Sequence, residues 1–221
     1  MPETRGSFLL LSGGMDSTTL LWWMQAQGVD EIHTVAVDYG QRHRAELDCG
    51  ARLSAEGGAQ SHRVLQLDLT QLGGNPLTDA DFAVPSANED NQIGTVVPFR
   101  NMLFVTLSAA LAETQGILDI YLSPVRDDHE SYRDCRREFY DLLEKTLRLG
   151  ATRHAEFRVH TPFVEMWKKE VVRVGIELGV PYARTHTCYE GIRPACGKCD
   201  ACVERLAAFA ANCTVDPLPY K

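Results

Sequence analysis

The stretch LLLSGGMDSTT, residues 9–19, limits the possible folds more than any other. The apolar run Phe8 to Leu11 breaks at Ser12 into a two-glycine turn. The chain then resumes at Ser17 with Leu20, Leu21, Trp23 and Met24 at helical spacing, stopped by Gly28. This reads as a buried strand, a tight turn and a helix, the opening unit of an α/β sheet. The pattern recurs. EIHTVAVDYG gives a second strand ending at Asp38, HRAELDCGARLSAEGG a helix closed by Gly57 and Gly58, and HRVLQLDL a third strand.

Residues 68–97 interrupt this rhythm with Gly, Pro, Asn and Asp, as a functional lid or a disordered excursion does. A helix over Asn101 to Gln115, a strand ILDIYL, a charged amphipathic helix over Asp134 to Leu149, a strand FRVHTPF and a helix over Glu165 to Leu178 follow. The expected architecture is α/β and Rossmann-like: a doubly wound, mainly parallel five-stranded sheet over residues 1–180, with a small C-terminal four-cysteine zinc module over 181–221.

A glycine turn between a strand end and a helix N-terminus points backbone N–H groups and the positive end of the helix dipole at an anion. Gly13 and Gly14 allow close approach, Ser12 and Ser17 offer hydroxyls, and Asp16 can hold Mg²⁺ against bound phosphates. No lysine stands in the turn, whereas loops built for γ-phosphoryl transfer use one on the β and γ phosphates. A cradle for these two phosphates together suits departure of pyrophosphate, with AMP passing to the substrate.

Cys196, Cys199 and Cys202 form CxxCxxC, with Cys188 eight residues upstream. Four thiolates close a tetrahedral structural Zn²⁺ site. An iron–sulfur cluster also accepts four cysteines, but zinc is favoured because no Cys-Pro run follows and the chemistry needs no electron transfer. Cys49 and Cys135 read as packing residues on helices.

The formal net charge of −8 argues against a surface that neutralises bulk nucleic acid. No stretch approaches the length of a membrane span, and MPETRGSFLLLSGG lacks the pattern of an export signal, so the expected location is cytoplasmic.

The letters SGGMDS resemble the SGGxDS signature of N-type ATP pyrophosphatases (the PP-loop superfamily). In order along the chain, DYGQRHRAE at 38–46, VVPFRNMLF at 96–104, DCRREF at 134–139, TCYEG with CGKCDACVERLAAF at 187–209, and VDPLPY near the end make the match more specific. Together they resemble the QueC family of queuosine biosynthesis, the 7-cyano-7-deazaguanine synthases, nearly end to end. The resemblance implies ATP as cosubstrate, Mg²⁺, structural zinc and a homodimer. The implied activity adenylates 7-carboxy-7-deazaguanine, and ammonia then attacks to give the nitrile.

Roles carried over residue by residue put ATP on Leu11, Ser12, Gly13, Gly14, Asp16, Ser17 and Thr18, with Asp38 near the adenosine and Arg100 and Lys168 neutralising the triphosphate. Asp16, Lys168 and Arg100 are the catalytic candidates. Asp128, His129, Tyr132, Asp134, Arg136 and His186 are the candidates for the deazapurine. Many family members read SGYPDCR where this chain has ESYRDCR, so Ser131 replaces a glycine and Arg133 a proline. That change beside the pocket raises an alternative in which a QueC-like ligase of CBASS-type anti-phage systems joins the deazaguanine carboxylate to an amine of a partner protein. A tRNA-thiolating relative would need a basic face. A nucleotide sensor would bind ATP without releasing AMP and pyrophosphate.

Overall fold

The computed structural model describes residues 6–87, 92–152 and 155–221. Residues 1–5, read above for an export signal, and 88–91 of the expected lid lie outside the described residues.

Five strands, β1 (Ser7–Leu10), β2 (Ile32–Asp38), β3 (Ser61–Gln66), β4 (Asp119–Tyr121) and β5 (Arg158–His160), form one sheet in the order β3-β2-β1-β4-β5. All four pairings are parallel. Between them run α1 (Met15–Ala26), α2 (Ala45–Glu56), α3 (Arg100–Gln115) and α4 (Arg137–Gly150), and α5 (Lys168–Glu177) and α6 (Asp200–Ala211) follow β5.

Alternation along β1 sends Leu9 toward α1 and α5, where it packs with Leu20, Leu21, Met24, Phe163 and Val171. Phe8 turns to the other face, against Ala109, Ala112, Ile120 and Phe157. Helices therefore cover both faces, and each fully buried large side chain contributes about 1.5–3 kcal/mol. The strand order reverses between β1 and β4, so the loops leaving their C-terminal ends diverge and open a crevice.

Two helices start later than their sequence periodicity suggests. Asp134 is drawn into a 3-10 turn, Arg133–Cys135, where its Oδ2 accepts the N–H of Asn101 at 3.2 Å, and α4 begins only at Arg137. α5 begins at Lys168 because the Glu170 carboxylate accepts the Trp167 N–H at 2.8 Å and fixes the first turn there.

The described part of 68–97 is a packed strap. Leu69, Leu77 and Val97 bury against Val37 and Tyr39. An Arg42 Nη2 donates to the carbonyls of Asp79, Ala80 and Phe82 at 3.2, 3.1 and 2.7 Å, so one guanidinium pins a segment lacking long regular structure.

Beyond Gly179, the tail returns to the sheet layer. Phe209 and Ala208 of α6 pack with Val172 of α5 and Tyr182. Arg205, fully buried, meets Asp216 through Nε at 2.7 Å and Nη2 at 2.9 Å.

Candidate active site

At the switch point the loop after β1 is shaped by Gly13, whose φ is +89°. A Cβ there would stand 2.3 Å from the Glu46 carbonyl oxygen and 2.5 Å from the Gly50 nitrogen, so only glycine lets the loop lie on α2. The Ser12 hydroxyl accepts the Gly14 N–H at 3.1 Å and lies 3.1 Å from the Ser17 hydroxyl. Thr18 bonds back to the Gly14 carbonyl at 2.7 Å, and the His186 N–H reaches the Gly13 carbonyl at 2.9 Å. The loop is thus held from behind, leaving the N-terminus of α1 facing a cavity of about 290 Å³.

Four segments far apart in sequence meet at this end of the cavity. Lys168 Nζ lies 2.5 Å from Glu204 Oε2, 3.8 Å from Asp128 Oδ1 and 3.9 Å from Asp16 Oδ2. Its backbone N–H donates to Asp127 Oδ2 at 2.7 Å. Burial alone would push the ammonium toward neutrality, but the surrounding carboxylates outweigh it and hold its pKa well above the ordinary lysine range. Burial pushes Asp16 up to about 6; Lys168 opposes that shift and Asp128 adds to it. Asp16 Oδ1 is buried without a hydrogen-bond partner among the described residues, an arrangement a divalent cation would satisfy.

Across the cavity the wall is aromatic. Tyr39, Phe104, Tyr132 and Tyr189 line it with Arg100, His43 and Glu46. The Arg100 guanidinium lies 5.9 Å from the Tyr132 ring centre, and the Tyr132 hydroxyl meets Thr95 Oγ1 at 3.2 Å. Burial raises Glu46 to about 8. Burial and the Arg100 charge lower His43 to about 3, so that ring is neutral.

The sequence candidates separate accordingly. Ser12, Gly14, Asp16, Ser17, Arg100, Asp128, Tyr132, Lys168 and His186 line the cavity. Leu11 is core, while Gly13 and Thr18 shape the loop from outside the lining. Asp38 lies off the lining, in an ion pair with Arg44 at 2.6 Å. Arg136 donates to the His129 carbonyl at 3.0 and 2.8 Å, so it ties the 129–136 loop together, and His129 and Asp134 also stand off the lining. Ser131 borders both this cavity and a surface hollow of about 590 Å³ that also contains Arg133 and Asp134.

The four predicted metal cysteines converge, with every pair of sulfurs within 4.8 Å. Cys196 Sγ lies 3.9 Å from Cys202 Sγ, near the roughly 3.8 Å separation that 2.3 Å bonds to a tetrahedral zinc require. The N–H groups of Lys198 and Cys199 donate to Cys196 Sγ at 3.5 and 3.4 Å. The donor set therefore fits a structural metal ion. Among the described residues this is the one such cluster of metal-ligating side chains.

The family model described as queuosine biosynthesis protein QueC matches residues 6–213. The chain belongs to the QueC family. A 7-cyano-7-deazaguanine synthase of Clostridium kluyveri is 41% identical over 96% of each chain. One from Rhodopirellula baltica is also 41% identical, covering 95% of this chain and 89% of its own length. Among solved structures, a predicted tRNA methyltransferase subunit from Methanocaldococcus jannaschii superposes with TM-score 0.50 at 17% identity, over 78% of this chain and 76% of that one, a likeness of fold alone.

Within this QueC-family chain, sequence reasoning left Tyr39, His43, Glu46, Phe104, Tyr189 and Glu204 unassigned. Each had a local signal. His43 and Glu46 lie in DYGQRHRAE, while Tyr189 and Glu204 flank the metal cysteines by one and two residues. None of the described helices is long and apolar enough to cross a membrane.

Proposed function

We propose that the chain is a 7-cyano-7-deazaguanine synthase that activates its substrate by adenylation. The observation that carries this reading is the lysine-free SGGMDS loop with an orphaned Asp16 oxygen beside it and Lys168 at 3.9 Å. The loop N–H groups, Ser12 and Ser17 hold the β and γ phosphates of ATP, and Lys168 neutralises charge as pyrophosphate departs. Asp16 and Asp128 hold Mg²⁺, which screens the phosphates from one another.

The substrate carboxylate oxygen attacks the α-phosphorus and the bond to pyrophosphate breaks. Ammonia then attacks the acyl carbon, AMP leaves, and one ammonia proton is lost to give the amide. In the second round the amide oxygen attacks the α-phosphorus of a second ATP and the bond to pyrophosphate breaks. The nitrile forms as the C–O bond to AMP breaks and the remaining N–H protons go to solvent. Cys188, Cys196, Cys199 and Cys202 hold Zn²⁺ as a structural ion, which fixes residues 181–221 as a module that adds Tyr189 and Glu204 to the cavity of the 1–180 adenylating domain. A homodimer and a cytoplasmic setting complete the reading.

The test is mass spectrometry of products from Mg·ATP, 7-carboxy-7-deazaguanine and ammonium. Nitrile with AMP and pyrophosphate is expected. AMP with product stalled at adenylate or amide would replace ammonia with a protein amine as acceptor, and absence of AMP would overturn adenylation.

A further inference from the structure

The two cations of the cavity keep different company. Lys168 stands among carboxylates at the phosphate loop. Arg100 is half-buried among Tyr39, Tyr132 and Tyr189, with no carboxylate at ion-pair distance among the described residues. The tyrosine-walled end of the cavity suits a flat ring.

The polar groups there limit which ring fits. Glu46 keeps 13% of its side-chain surface and lines the cavity. Its Oε1 accepts Gln41 Nε2 at 3.1 Å and lies 3.5 Å from His43 Nε2. Oε2 has no hydrogen-bond partner among the described residues, and the Gln41 and His43 contacts fix the carboxyl in place. His43 adds a second uncommitted group: the residue is 5% exposed and lines the cavity, and Nδ1 has no hydrogen-bond partner among the described residues.

Both rings of the proposed reaction are purine-like, but their edges differ. Adenine sets a donor, its 6-amino group, beside an acceptor, N1. A deazaguanine sets two donors side by side, N1–H and the 2-amino group. Burial favours the protonated Glu46 carboxyl in the free protein, with the Arg100 charge opposing that shift. Two adjacent ring donors favour its ionised, acceptor-only form on binding, while the guanidinium can donate to the neighbouring 6-oxo group.

We propose that Glu46 reads the deazaguanine ring, its carboxylate accepting N1–H and the 2-amino group, with Arg100 donating to the 6-oxo oxygen. The inference rests on the synthase reading and specifies where and how that enzyme holds its base. The assignment moves base recognition from the 129–136 loop to the first turn of α2 and the start of α3. Glu46 is thus a specificity-determining residue that touches substrate, and a ring lacking the 2-amino group leaves its second oxygen unpaired.

The experiment compares kcat/KM for 7-carboxy-7-deazaguanine and its 2-deamino (hypoxanthine-type) analogue in the wild type, Glu46→Gln and Glu46→Asp, with KM for ATP measured alongside. The wild type is expected to favour the guanine-type ring by about 10- to 100-fold. In Glu46→Gln that preference falls toward unity while KM for ATP stays within about threefold. Glu46→Asp, which keeps the carboxylate, retains part of the preference. The inference is overturned if Glu46→Gln keeps the full preference, or if KM for ATP rises more than KM for the base, which would place adenine there instead. If the variants melt early, the wild type decides alone, since an analogue used as well as the parent overturns the idea. A wild type that converts neither ring sinks the synthase reading and this inference together, whereas conversion with unchanged discrimination in the variants sinks the inference alone.

Discussion

Lys168 and Arg205 are both buried cations facing carboxylates, 8% and 0% exposed, yet their surroundings differ in kind. Arg205 is saturated. Asp216 takes Nε and Nη2, the Thr185 and Thr187 hydroxyls take Nη1 at 2.5 and 3.1 Å, and the Tyr182 carbonyl takes Nη2 at 3.0 Å. Asp216 is equally committed, accepting the Tyr220 hydroxyl at 2.5 Å and the Leu218 N–H at 3.0 Å. Lys168 instead faces a surplus of negative charge that leaves an Asp16 oxygen without a partner. A closed network of this kind fastens the tail. An open one keeps capacity for a ligand.

The largest expected effect breaks the closed network. Arg205→Ala strands the Asp216 carboxylate in the interior and is expected to cost about 3–5 kcal/mol in denaturant unfolding. The double variant Arg205→Met with Asp216→Leu removes both charges and should recover most of that loss. Equal losses in both would mean that packing, not charge, decides.

Next in size is a change at the open network. Asp16→Asn is expected to lower kcat/KM for ATP on the order of 10²–10³-fold without lowering the unfolding midpoint. Loss of stability together with activity would make Asp16 a structural residue like Arg205.

The two networks also titrate with opposite signs. The folded pKa of Asp16, about 6, lies above its ordinary 3.8, so in that window the folded protein binds more protons than the unfolded chain. Without added Mg²⁺, stability should therefore fall as pH rises from about 4 to 6, by at most roughly 2–3 kcal/mol, and Asp16→Asn should flatten the slope. For Asp216, burial pulls the pKa up but the Arg205 hydrogen bonds outweigh it and hold it below the ordinary value. Its contribution is present above pH 3.8 and is lost only as pH falls below it. Unfolding curves across about pH 3–7 separate the two, and a D16N slope equal to the wild type would refute the assignment.

The same contrast explains what could be read from the sequence. The glycine turn after β1, the five strands and the four cysteines were legible because each depends on local spacing: a glycine pair after a strand, alternation, CxxCxxC. Asp38 sat at the expected strand end, but its partner Arg44 comes from the following turn, a pairing that periodicity does not encode. Lys168 and Arg100 were both assigned to the triphosphate, and only the tertiary arrangement gives one carboxylate neighbours and the other tyrosines. Glu204 was missed because its register on α6, two residues past Cys202, matters only once α6 docks beside α5.

Glu204 gives the smallest and most discriminating test. It makes the shortest contact to Lys168, 2.5 Å, yet 42% of its side chain is exposed, so solvent screens much of the attraction and a contribution of about 1 kcal/mol or less is expected. In the proposed mechanism Lys168 must exchange carboxylate contacts for phosphate oxygens, and Glu204 competes with ATP for the same ammonium. Glu204→Gln weakens the competitor, so KM for ATP should fall roughly two- to fivefold with kcat nearly unchanged and the unfolding midpoint lowered by no more than about 4 °C. A rise in KM would mean that Glu204 holds Lys168 in its working position, and this end of the cavity would then be organised more like the Arg205 network than its orphaned oxygen implies.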